Sequence, residues 1–138
     1  NEKDKNIIDR RKLGKIIFSS HKERKWLEEI ILPQVNKKIK VNLEKYNEFK
    51  VIGIIVPLLF EHKYESICSE IWVVTCQIDQ QYERLMKRDS LSKSDAELRV
   101  NSQFDLPSKE NLADIIIDNS GEKNCWIKQV DSLISRTH

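Results

Sequence analysis

Glu70-Ile71-Trp72-Val73-Val74-Thr75-Cys76-Gln77-Ile78-Asp79-Gln80-Gln81-Tyr82-Glu83-Arg84-Leu85-Met86-Lys87-Arg88-Asp89 decides the fold of this chain. Its first seven residues are rich in β-branched side chains and show little polar alternation, the pattern of a strand buried on both faces. Asp79 then stands where an N-cap belongs, and Tyr82, Leu85 and Met86 follow at the i, i+3 and i+4 spacing of one helical face. A buried strand that leads into an amphipathic helix is the opening half of a parallel crossover unit.

Working outward, Val51 to Val56 and Asp114 to Asp118 have the same strand-like composition, and helical patterns separate them. Before the first lie Trp26, Leu27, Ile30 and Ile31, then Val35, Ile39, Leu43 and Tyr46, with Pro33 expected to divide the two stretches. After the long helix, Ser92 and Asp95 form a capping-box-like start. Ala96, Val100 and Phe104 then fall on one face before Pro107. Trp126, Ile127, Val130, Leu133 and Ile134 mark a last helix behind the turn Asn119-Ser120-Gly121. Strands alternating with helices predict an α/β layer fold with a parallel sheet. In such sheets ligands lie beyond the carboxyl ends of the strands, here Pro57 to Glu61, Gln77 to Asp79 and Asn119 to Gly121.

Composition narrows the function. The 138 residues suit one soluble domain, and 24 basic against 22 acidic residues leave a formal charge of +2. That is no bulk field for nucleic acid, so any anion site must be local. Cys68, Cys76 and Cys125 form no CxxC pair. Their odd number, with no signal peptide, predicts reduced thiols and a cytoplasmic location. The longest apolar run, Val51 to Phe60, is about half of the ~20 residues a membrane span needs, and Gly53 and Pro57 break it. No membrane span is expected. His21 and His138 have no carboxylate or cysteine at zinc-ligand spacing, which argues against a metal module. Neither a GxSxG element nor a Cys-His framework is present. Only three glycines occur. There is accordingly no GxGxxG and no GxxxxGK followed by Ser or Thr, so the backbone amides that would cradle a triphosphate are lacking.

Three constellations remain. Arg84 and Arg88 sit one turn apart on a helix, where two guanidinium forks can converge on one polyanion. A solvated basic face with Glu83 and Asp89 as local partners has the same pattern. Arg99 and Gln103 form a second i, i+4 polar pair just downstream, either part of a lid or an exposed amphipathic helix. Pro57-Leu58-Leu59-Phe60-Glu61-His62 ends a strand in an apolar shelf followed by an acid and an imidazole. It is either the floor of a substrate pocket or a core turn with its polar end in water.

Taken in order, several segments resemble the dephospho-CoA kinase family: Asp9-Arg10-Arg11-Lys12-Leu13-Gly14-Lys15-Ile16-Ile17-Phe18, Trp26-Leu27-Glu28-Glu29-Ile30-Ile31-Leu32-Pro33, and Pro57-Leu58-Leu59-Phe60-Glu61. Glu83-Arg84-Leu85-Met86-Lys87-Arg88-Asp89, Arg99-Val100-Asn101-Ser102-Gln103 and Ala113-Asp114-Ile115-Ile116-Ile117-Asp118-Asn119-Ser120-Gly121 continue the series. The resemblance implies a three-layer P-loop kinase fold and ATP-dependent phosphorylation of the ribose 3′-hydroxyl of dephospho-CoA, with Mg2+. That chemistry is positioning plus charge stabilisation. It further implies that residues 1–138 are one partial domain, with a helical substrate-binding region over 9–49 and a lid over 79–107. Arg88 and Arg84 then resemble lid residues that stabilise phosphate charge, and with Asn119, Ser120 and Gly121 they resemble the ATP contacts. Pro57, Leu58, Leu59, Phe60 and Glu61 resemble the acceptor-site wall, with Arg99 and Gln103 as lid-side substrate contacts.

Three departures from the family pattern bear on activity. The family's N-terminal strand, P-loop and following helix are missing, as is the Asp-containing segment that supplies a catalytic base. Ile55-Val56 stands where many members have an acid, so no magnesium ligand is assigned, and Leu32-Pro33 replaces a frequent His-Pro. The 138 residues alone are therefore expected to be inactive. The family's strand order puts the P-loop strand between the strand ending at Pro57 and the strand ending at Cys76, so the chain alone is also expected to self-associate through open strand edges. A non-catalytic nucleotide- or CoA-binding module and a nucleoside monophosphate kinase are the alternatives.

Overall fold

Two parallel strands, β1 (Trp72–Thr75) and β2 (Ile115–Asp118), form the sheet in this computed structural model, which describes residues 8–122 and 124–137. Their register pairs Trp72 with Ile115 and Thr75 with Asp118. The Ile71 carbonyl accepts from the amides of Asp114 at 3.0 Å and Ile115 at 3.2 Å, and the Asn119 amide donates to the Thr75 carbonyl at 2.8 Å. Three helices fill the crossover between the strands: α3 (Ile78–Asp89), α4 (Lys93–Val100) and α5 (Leu106–Glu110). A last helix, α6 (Cys125–Ile134), follows β2. The expected α/β class with parallel pairing is therefore present.

The chain divides into two units, Asn1–Val56 and Pro57–His138. The first contains α1 (Arg10–Ser19) and α2 (His21–Lys45), started by the side chains of Asp9 and Ser20, which accept from backbone amides of the first turns. Neither helix has a buried residue, and Trp26, Ile30, Ile31 and Val41 are all more than 40% exposed. Two helices packed on each other offer too little apolar surface to cover a full stripe. The second unit holds the buried apolar residues Phe60, Tyr64, Val73, Ala96 and Ile117. Val73 and Ile117 come from the strands and Ala96 from α4, so the core sits between sheet and crossover.

Four local expectations need correction. Val51 to Val56 is not a strand: it has no regular structure, and Val51 and Ile55 are well exposed. A strand needs a ladder partner, and no described residue supplies one. Pro33 does not divide two helices but lies inside α2. The missing N–H costs one bond to the carbonyl four residues back, which the turns on either side outweigh. Asp79 is in the first turn of α3, with Gln77 at the N-cap and no side-chain cap. Its charge still suits that end of the helix dipole. Phe104 is not on the face of α4, which stops at Val100, and Pro107 does not end a helix but helps begin α5. Proline fits a first turn because the N–H it lacks has no intrahelical partner there. The Ser92 start of α4 is present, its hydroxyl accepting from the Asp95 amide at 3.1 Å.

Candidate functional site

At the carboxyl end of β2 the chain turns through Asp118 to Gly121. The Asp118 carboxylate accepts from the Ser120 amide at 2.7 Å, and hydrogen bonding to the Ser120 side chain, then to this amide, holds the carboxyl below its usual range. Gly121 has an ordinary φ, and a Cβ there would sit tightly against Cys125, 3.1 Å from its Cβ and 3.2 Å from Sγ. Two side chains one turn apart on α3 grip this turn. Gln80 Nε2 donates to the Ser120 carbonyl at 2.8 Å, and Arg84 Nη1 donates to the Asn119 carbonyl at 2.9 Å. From α6, Gln129 accepts from the Asp118 amide at 3.0 Å and donates to its carbonyl at 2.7 Å, satisfying the outer edge of β2 where it ends.

Arg84 and Arg88 do not share an anchor. Arg88 donates through Nε at 2.8 Å and Nη2 at 3.0 Å to the two carboxylate oxygens of Asp89, while its side chain stays 68% exposed. Arg99 reaches the same carboxylate from α4. The hydrogen bond from Arg88, and then the charges of both arginines, hold the Asp89 carboxyl below its ordinary value, and Arg88 is correspondingly harder to deprotonate. Asp89 thus joins the end of α3 to α4 and neutralises part of a positive cluster that would otherwise repel itself.

The third grouping centres on a residue that sequence reading did not single out. Lys109 Nζ, from α5, lies 2.9 Å from Glu61 Oε1, 3.4 Å from Gln103 Oε1 and 3.5 Å from the Pro57 carbonyl. Glu61 Oε1 also accepts from the Phe104 amide at 2.9 Å. The side chains of Glu61 and Lys109 are each only 12% exposed. Burial pushes the Glu61 carboxyl up, but hydrogen bonds from Lys109 and backbone amides, with the lysine charge, bring it below its ordinary value. Residues 57–63 form a tight turn, with amide bonds from His62 to Leu58, Lys63 to Phe60 and Tyr64 to Leu59. Phe60 is buried, and the His62 ring lies edge-on to Tyr64 at 6.4 Å. The polar end of the shelf is thus folded into the protein.

Beside this grouping, at the carboxyl end of β1, opens a cleft of about 420 Å³ bordered by Gln77, Gln81, Tyr82, Gln103, Phe104 and Lys109. The helical unit has a groove of its own, about 250 Å³, lined by Ile39, Leu43, Tyr46 and Ile52–Ile55. Among the described residues no group of three or more His, Cys, Asp or Glu side chains is arranged to hold a metal ion. His21 Nδ1 pairs with Arg24 Nη2 at 3.0 Å, and His138 lies outside the described residues. The three cysteines are unpaired, and no described helix is long and apolar enough to cross a membrane.

Comparison with known proteins gives the family and the fold. Two Prochlorococcus marinus dephospho-CoA kinases are each 44% identical, over 92% of this chain and 60% of the relative in one strain and over 91% and 62% in the other. The chain thus spans about 60% of the length of the curated relatives it matches. The solved dephospho-CoA kinase from Campylobacter jejuni shares 30% identity with a TM-score of 0.63, covering 96% of this chain and 67% of that one. A Thermus thermophilus crystal structure has a TM-score of 0.76 at 23% identity, covering 96% and 69%, a likeness of fold. The family model for dephospho-CoA kinase matches residues 3–124, and on that match this chain belongs to the dephospho-CoA kinase family.

Proposed function

We propose that this chain forms the lid, the acceptor wall and the helical substrate region of an enzyme that phosphorylates the 3′-hydroxyl of dephospho-CoA with ATP. The family match carries the reading. The supporting geometry is the bond from Arg84 to the Asn119 carbonyl, which sets a lid arginine against the turn after the last strand. In the reaction the ribose oxygen attacks the γ-phosphorus, the bond from that phosphorus to the bridging oxygen of ADP breaks, and the hydroxyl proton passes to water. Arg88 and Arg84 stabilise charge on the transferring group, Asn119 to Gly121 contact ATP, and Pro57 to Glu61 with Arg99 and Gln103 hold the acceptor. Residues 9–49 are the helical substrate region and residues 79–107 the lid. The substrates are small molecules, and the unpaired thiols suit the cytoplasm.

None of the described residues is assigned to Mg2+, which kinase sites hold with one or two carboxylates and the substrate phosphates. Ile55-Val56 provides no carboxylate before Pro57, and no cluster of ligands stands elsewhere among them. The sequence also holds no glycine-rich phosphate loop, so the 138 residues by themselves leave the β- and γ-phosphates unheld and turn over no substrate. The single ladder neighbour of β1 leaves an open edge, which favours self-association of the isolated chain. A second reading is a non-catalytic nucleotide- or CoA-binding module that uses the same lid and acceptor surface.

One experiment separates the two. The chain is joined behind the N-terminal segment of one of the two 44%-identical Prochlorococcus marinus relatives, and both chimera and chain are assayed for phosphate transfer from ATP to dephospho-CoA. Activity in the chimera alone supports the kinase. Binding of dephospho-CoA without transfer in either supports the module.

A further inference from the structure

We propose that Lys109 is a positioning residue that fixes the acceptor side of the site by orienting the Gln103 amide and tying it to the Pro57 to Glu61 turn. This rests on the kinase reading above and extends it to a residue outside the assigned contacts. Lysine carries donors only, so the group it meets must present an acceptor. At Gln103 that acceptor is Oε1, at 3.4 Å. The amide orientation is thereby set, and the Nε2 end becomes the one offered to an acceptor oxygen of the substrate.

The same ammonium reaches Glu61 Oε1 at 2.9 Å and the Pro57 carbonyl at 3.5 Å, so one group gathers both edges of the shelf and the lid-side amide. The Phe104 amide adds a second tie from the neighbouring residue to the same Glu61 oxygen. With only 12% of its side chain exposed and its partners provided by the protein, Lys109 acts on substrate through Gln103 and the shelf. Without the ammonium the Gln103 amide can turn over, presenting an oxygen where the substrate needs a donor. Binding of the hydroxyl-bearing nucleotide then weakens, while ATP, contacted by α3 and the 119–121 turn, is unaffected.

The test measures KM for dephospho-CoA and for ATP separately in the chimera carrying Lys109→Met or Lys109→Arg. The expected result for Lys109→Met is a rise of about tenfold in KM for dephospho-CoA, with KM for ATP within about twofold of wild type. Lys109→Arg, which keeps the charge and donors, should recover most of the loss. Equal changes in both KM values, or a lower melting temperature with both KM values unchanged, overturn the proposal in favour of a purely structural ion pair. Where Lys109→Met does not fold, the comparison runs on Lys109→Gln, which removes the ammonium but keeps a polar end beside Glu61. An unequal shift, larger for dephospho-CoA, supports the proposal, and equal or absent shifts overturn it. A wild-type chimera that phosphorylates nothing overturns the kinase reading itself, and this inference with it.

Discussion

Arg84 on α3 donates from Nη1 to the main-chain carbonyl of Asn119 at 2.9 Å, so an exposed guanidinium is committed to a turn 35 residues away in sequence. With Gln80 holding the Ser120 carbonyl one helical turn earlier, it ties to α3 a turn that is also held by the Asn119 amide on Thr75 and the Asp118 carboxylate on the Ser120 amide. Arg84→Ala should lower stability by only about 0.5–1 kcal/mol, because the bond is near the surface. The local effect should be larger. Amide hydrogen exchange at Ser120 and Gly121 should speed up well beyond that at Val73 in β1. Uniform acceleration across both sites would mean that Arg84 does not hold the turn.

Arg88 is engaged differently, and its role follows from that. Its fork is closed on Asp89, yet most of the side chain faces solvent, leaving room for phosphate oxygens to compete for the same donors. In the chimera, Arg88→Ala should reduce turnover by about 10²-fold or more, as loss of a preorganised charge contact does. Lys87→Ala, one residue away on the same helix, should change it far less. Steady-state rates decide the matter, and small equal effects would return this face to solvated surface.

The difference between what sequence shows and what it hides lies in sequence distance. Trp72 to Thr75 and Ile115 to Asp118 are legible as strands from their β-branched composition, but burial on both faces is not found, since Val74 is 57% and Ile116 49% exposed. Val51 to Val56 has the same composition, but whether a segment becomes a strand depends on a neighbour that its own letters do not name. Ser92 and Asp95 were legible because a cap closes within one turn. Arg84 and Arg88 were found as a pair, but their separate anchors, the Asn119 carbonyl and Asp89, follow from how the elements pack. Lys109 was missed for the same reason. Its link to the Pro57 carbonyl crosses 52 residues, and on α5 it reads as an ordinary surface lysine.

Ser90 closes α3 in the left-handed region, with φ 52° and ψ 46°. A side chain there meets its own carbonyl, and glycine does not. Ser90→Gly should therefore stabilise the chain by about 0.5–1 kcal/mol, after allowing for the freer unfolded state of glycine. Urea denaturation measures this directly. A lower midpoint would show that the Ser90 hydroxyl contributes more than the backbone conformation costs.

The Glu61–Lys109 pair makes a pH-dependent contribution whose sign is fixed by the direction of the carboxyl shift. Burial would raise the Glu61 value, but hydrogen bonds from Lys109 and from backbone amides, and the charge of Lys109, leave it below the ordinary carboxylate value. A depressed carboxyl stabilises the fold above its unfolded value of about 4.3, and that contribution is lost as pH falls through the folded value. At pH 7, Lys109→Met removes the partner and leaves a nearly buried carboxylate, which should cost about 2–4 kcal/mol. In the variant, burial acts without the lysine, so Glu61 takes up its proton at a higher pH and the penalty fades early. The wild type loses its pair only below the ordinary carboxylate range, and it then holds an ammonium without a counter-charge. The stability gap between wild type and Lys109→Met should thus be widest near neutrality, shrink below about pH 5 and be mostly gone by about pH 3. Asp89, Asp105 and Asp118 are also held low by their own partners, but they titrate alike in both proteins and cancel in the difference. Urea midpoints for the two proteins across this range provide the measurement. A gap that stays constant from pH 7 to pH 3 would show that Lys109 contributes packing alone.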